Sequence, residues 1–175
     1  MAEQKRPPLF LITPPHPGPD LATALQAANV ASVLVWDSAQ AEALVPLIQA
    51  HGVAALVRGD RKFVGETNAD GFHGDTNLAD LQLAIEELKP QHIVGAANIR
   101  SKDDAMCAGE AGADYVFFGD PQKENSLDEL CQCVGWWQNL FEPPCVAYAE
   151  KADWIAPLTK AGADFIALRD FSGLT

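Results

Sequence analysis

The chain has 175 residues, with 12 Lys and Arg against 24 Asp and Glu for a net charge of −12. That length fits one domain spanning 1–175 and is short for an eight-stranded α/β barrel, usually about 200 to 250 residues. The acidity excludes a broad nucleic-acid surface, which needs clustered cations, but leaves room for a small anion pocket.

The first apolar run, Leu9 to Thr13, is too short for a signal peptide or a membrane span. It reads instead as a first strand. Further runs at 32–37, 53–58, 70–73, 92–97, 115–119, 145–148 and 165–168 bring the count of strands to eight. Continuous apolar runs without alternation suit strands buried on both faces of a parallel sheet. Helical patterns fall between them. Leu21, Leu25 and Ala28 share one face of the first. The second runs from Ala39 to His51 with Ala43, Leu44, Leu47 and Ile48 inward, and Pro46 is expected to interrupt it. The third carries Leu78, Leu81, Ile85 and Leu88, and Pro90 ends it. Ser101 with Asp104 and Ser126 with Glu129 have capping-box spacing and open the next two. Trp136 and Trp137 are adjacent on the second of these, so both cannot face the core. The last helix covers 151–161.

Strands alternating with helices imply βαβ units. An internal echo supports this. Ala111-Gly112-Ala113-Asp114-Tyr115 recurs as Ala161-Gly162-Ala163-Asp164-Phe165, with a weaker copy at Asn68-Ala69-Asp70-Gly71-Phe72. Each copy is expected to end a helix at the Gly or Asn and launch a strand. Eight strands predict a compact (β/α)8 TIM-type barrel. Because the sequence stops at Thr175, no residues remain for a final helix, and an incompletely covered last strand would favour a homo-oligomer. Cys107, Cys131, Cys133 and Cys145 lack zinc-site spacing and are expected to be reduced thiols of a cytoplasmic protein.

The ordered motifs resemble the thiamine phosphate synthase/TenI family over residues 9–170. Leu11-Ile12-Thr13 resembles its L-I-T-D, Arg58-Gly59-Asp60-Arg61 its I-N-D-R, and Asn68 to His73 its G-A-D-G-V-H. Val94-Gly95 resembles I-G-x-S, Ala111 to Gly119 resembles G-A-D-Y-I-G-x-G, and Ala161 to Phe165 the last G-A-D-G. The resemblance implies a (β/α)8 barrel. It further implies an enzyme that joins a hydroxymethylpyrimidine diphosphate to a thiazole phosphate with Mg2+, releasing pyrophosphate, or a TenI-like enzyme that aromatises the thiazole phosphate.

Several family positions are altered. The Q-L-R-x-K run after the second strand is replaced by Leu34 to Ser38, which includes Trp36 and Asp37. The Asn of N-D-R is Gly59, and the Ser of the fifth-strand turn is Asn98. The T-x-T-K loop after the sixth strand is replaced by Gly119 to Glu124, with Lys123 as its candidate cation. Glu150 and Asp170 stand where glycine and serine would cradle a phosphate.

Chemistry in such barrels sits at the C-terminal ends of strands. The candidates there are Asp60, His73 and Lys123 for catalysis, and Trp36, Asp37, Arg58, Asn98 and Arg169 for substrate binding. Asp60, Asp75 and Asn77 are the candidates for Mg2+. Arg58, Arg61 and Lys62 either hold phosphate or pair with neighbouring acids. Three functions stay open: a divergent synthase, a non-catalytic barrel that binds a small ligand or a protein partner, and a TenI-like tautomerase.

Overall fold

The structure is a computed structural model that describes residues 5–16, 20–27, 29–171 and 174. Eight parallel strands close into a barrel in sequence order: β1 (Leu9–Ile12), β2 (Val30–Val35), β3 (Ala54–Arg58), β4 (Gly71–Gly74), β5 (Ile93–Ala96), β6 (Tyr115–Phe118), β7 (Cys145–Tyr148) and β8 (Phe165–Leu168). Strand β8 returns to β1, with Phe10 beside Ala167. Among the described residues seven α-helices follow β1 to β7 in turn, and none follows β8. They are α1 (Asp20–Ala27), α2 (Ala41–Ala50), α3 (Phe63–Thr67), α4 (Leu78–Leu88), α5 (Lys102–Ala111), α6 (Leu127–Leu140) and α7 (Ile155–Ala161). Ala28 and Thr175, which entered the sequence expectations, lie outside the described residues. No described helix is long and apolar enough to cross a membrane.

Alternate strand residues divide between two apolar layers. Phe10, Ile12, Leu34, Leu56, Phe117, Val146 and Ala167 fill the barrel. Leu11, Val33, Val57, Val94 and Ile166 face the helices. Both faces are therefore dry, which is why the strands read as unbroken apolar runs.

The helices refine the sequence picture. A 3-10 turn, Ser38–Gln40, precedes α2, and α2 runs unbroken through Pro46. Pro46 is exposed, so water can serve the carbonyl that its missing N–H leaves open. The buried stripe of α2 is Ala41, Val45 and Ile48, while Leu47 is 38% exposed. On α4, Leu81 and Ala84 are buried and Leu78 is exposed. The five-residue α3 buries only Val64 and is too short to show a period in sequence. Trp137 is fully buried and stacks on Phe141, with its indole N–H donating to Pro143 O at 2.7 Å. Trp136 is half-buried beside it.

The echo is a clasp repeated around the N-terminal rim. Asn68, Gly112 and Gly162 end their helices in the left-handed region, with φ of 59°, 101° and 107°. That backbone favours glycine or asparagine. Two residues later an aspartate meets the start of the preceding strand twice. Asp70 Oδ2 accepts from Ala55 N at 2.7 Å, and Asp70 N donates to Ala55 O. Asp114 does the same with Val94, its carboxylate at 2.8 Å, and Asp164 with Cys145 at 2.9 Å. Each carboxylate satisfies a strand-entry N–H that would otherwise lack a partner.

Candidate active site

At the opposite rim the strands deliver their polar residues. A cavity of about 600 Å³ opens there, walled by the ends of β2 to β4 and by the loops after β4, β5 and β6. Four cations line it (Arg58, Arg100, Lys102 and Lys123), as do four carboxylates (Asp75, Asp120, Glu124 and Glu129). Locally the charges balance, whereas the whole chain carries −12. The cavity is thus the less repulsive place for an anion.

Its most organised feature joins three strand ends. Trp36 follows β2, and its backbone N–H donates to the buried Thr13 Oγ1 at 2.9 Å. The Arg58 guanidinium, from the end of β3, lies 3.9 Å above the Trp36 ring centre. Arg58 Nε and Nη2 both lie 2.6 Å from Asp75 Oδ2, just past β4. Arg58 Nη1 donates to Trp36 O at 3.3 Å. Arg169, after β8, approaches the same ring at 5.4 Å and donates from Nη1 to Pro121 O. Cation–π contact and a charged hydrogen bond together fix the Arg58 fork.

His73 sits beneath this group, 2% exposed. Its Nδ1 is 2.7 Å from the Tyr115 hydroxyl, and Phe117 meets the ring edge-on. Burial pushes the imidazole down to about 4, with Asp75 opposing and Arg58 assisting. Burial likewise holds the Tyr115 phenol well above its ordinary range. Both rings are neutral near pH 7. Tyr115 needs the space of Gly95, where an added Cβ would lie 1.9 Å from its ring.

The remaining candidates are placed as follows. Asn98, at φ 59°, donates to Thr76 O and accepts from Arg100 Nε, and it lines the cavity. Lys123 lines it too, with Nζ 3.5 Å from Asp120 Oδ2. Asp37 caps the 3-10 turn through Ala39 N. Asp60 accepts from Lys62 N, faces Lys62 Nζ at 3.7 Å, is exposed, and is absent from the cavity wall. Asn77 caps α4 through Asp80 N and also donates to Asp80 Oδ2. Arg61 pairs with Glu87, and Arg58 and Lys62 also make ion pairs, with Asp75 and Asp60 respectively. Glu150 accepts from Asn125, which organises the loop after β6. Asn125, Arg100 and Lys102, which line the cavity, and Tyr115, which meets His73, were not among the sequence candidates. Strand alternation from Phe117 would have placed Tyr115 inside.

A model of the thiamine monophosphate synthase family matches residues 36–170. The chain belongs to this family. The thiamine-phosphate synthase of Rhodospirillum centenum is 36% identical over 178 residues, covering 91% of this chain and 86% of that protein. That of Hyphomonas neptunium is 33% identical over 183 residues, covering 91% and 83%. Among solved structures, a thiamine phosphate pyrophosphorylase from Pyrococcus furiosus has a TM-score of 0.73 at 21% identity, covering 95% of this chain and 87% of that one. That likeness supports the fold alone. The chain is therefore a thiamine-phosphate synthase-like barrel of an enzyme family.

Proposed function

We propose that the chain joins hydroxymethylpyrimidine diphosphate to a thiazole phosphate in the mouth cavity, releasing pyrophosphate. The observation that carries this is the Trp36–Arg58–Asp75 arrangement beside a cavity of about 600 Å³. An aromatic face suits a flat heterocycle, and a fixed guanidinium suits a phosphate. The family resemblance implies cations after β2, where this chain has Trp36, Asp37 and Ser38. Arg58 reaches that spot from β3.

In the reaction a carbon–oxygen bond to pyrophosphate breaks while a bond to the thiazole forms. The chain's part is to align the two rings and to neutralise the leaving group. Arg58 and Lys123 would serve the leaving group, with Asn98, Arg100 and Arg169 at the margins. Neutral His73, held by Tyr115, would offer a hydrogen bond rather than a charge. Asp37 fixes the backbone after Trp36.

The family resemblance supports a metal role, but the donors on this chain do not fit a preformed Mg2+ site. Asp75 is neutralised by Arg58, while Asp60 and Asn77 serve their own turns. Among the described residues no group of three or more His, Cys, Asp or Glu side chains converges. The test is direct chromatographic detection of thiamine phosphate from the two substrates with verified folded protein. Product above the no-enzyme control is expected, and its absence sinks the proposal in favour of a non-catalytic binding barrel.

A further inference from the structure

We propose that this cavity grips the phosphate of its ligand without a divalent metal, and that Asp75 is a positioning residue for Arg58 rather than a metal ligand. The inference rests on the mouth cavity being the ligand site, but it does not require that the synthase reaction occurs.

The argument begins with the charge on Asp75. Two guanidinium nitrogens of Arg58 converge on its Oδ2 at 2.6 Å. A divalent cation on the same carboxylate would lie beside that guanidinium and be repelled by it. The second carboxylate that the family resemblance implies for a metal, Asp60, does not line the cavity with Asp75. Asp60 lies outside the cavity wall and is bound to Lys62, which adds a further cation against a metal. Mg2+ requires near-octahedral oxygen donors and gives up its waters reluctantly, so it does not readily displace a guanidinium from its carboxylate.

The same contacts make Arg58 a ready anion donor. Of its five N–H groups, three are directed at Asp75 and at Trp36 O, and the Trp36 face fixes the plane of the fork. The N–H groups that remain belong to the two terminal nitrogens, which suits an oxyanion. Ordering of this donor before the ligand arrives lowers the cost of binding. Asp75 contributes by holding the fork, and Lys123, Arg100 and Lys102 add cations along the wall of the same cavity.

The experiment is calorimetric titration of the full chain with inorganic pyrophosphate, in EDTA and in Mg2+, corrected for the magnesium pyrophosphate formed in solution. The expected result is affinity equal within about twofold in both buffers, weakened by about tenfold or more in Arg58→Gln. Asp75→Asn should weaken binding by a smaller factor, about threefold, while leaving the response to Mg2+ unchanged. If Arg58→Gln fails to fold, Arg58→Lys replaces it. That variant keeps the charge but loses the fork, and it should still bind several-fold more weakly.

Binding that requires Mg2+ and loses that requirement in Asp75→Asn would overturn the inference. So would undetectable pyrophosphate binding in both buffers. Metal-independent binding without thiamine phosphate formation would leave the inference standing and remove the synthase reaction. Pyrophosphate binding that requires Mg2+, together with thiamine phosphate formation, would do the reverse.

Discussion

The two ends of the barrel use carboxylates in different ways. At the N-terminal rim Asp70, Asp114 and Asp164 each accept a backbone N–H from the strand before, in a clasp repeated at three places. At the mouth Asp75 instead meets a side chain, and that side chain lies on a tryptophan beside an open cavity. The rim binds the protein to itself, so losing a clasp should cost stability and little else. The mouth orders donors toward empty space, so losing one should cost binding. Between the ends, His73 and Tyr115 are hydrogen-bonded to each other and buried within the barrel, where burial sets the protonation of the imidazole.

The largest expected effect belongs to this middle layer. The folded chain holds His73 at about 4 against an ordinary value of 6.5. Between those values the unfolded chain binds a proton that the folded chain does not, so stability falls as pH is lowered through the window. The loss reaches about 3 kcal/mol near pH 4. Urea unfolding of the parent and of His73→Phe from pH 7 to 4.5 reads it as a difference in slope. Identical slopes would remove His73 from the account.

Next is the rim. Asp114→Ala strips the Val94 N–H of its acceptor and Lys89 of its ion-pair partner, which should cost about 2 kcal/mol in the same assay. Pyrophosphate affinity should not move, and a parallel loss of affinity would erase the division between the ends. At the mouth, Arg58→Gln should shift stability by no more than about 1 kcal/mol, because the pair is partly solvated. Its mark should fall on ligand affinity. The smallest effect is expected at Asp60→Asn, within about 0.5 kcal/mol of the parent in stability and with unchanged pyrophosphate affinity. A large loss there would return Asp60 to the ligand site.

The rim was far more legible in the sequence than the mouth. The clasp is local: a left-handed cap, an alanine, an aspartate and a strand follow one another in five residues. Three copies therefore stood out, as did the Ser101 and Ser126 caps. The eight strands were legible because both faces are buried. The α2 stripe was partly misplaced because Ala43 and Leu47 look as apolar as Ala41 and Val45, and only barrel packing separates them. The mouth depends on reach between neighbouring strands. Trp36 and Arg58 stand 22 residues apart, and nothing local tells that Arg58 turns onto the end of β2. Reading β2 by itself gives a missing cation; the closed barrel gives one supplied by its neighbour. Asp60 and Asp75 looked like a pair because both follow strand ends, yet each had a nearer cation.

The most direct test of the account is thiamine phosphate formation by the parent chain and by Arg58→Gln, at matched folded concentration. The account predicts product from the parent and about tenfold less or lower from the variant, with both folded. No product from the folded parent, or equal product from both, would contradict it.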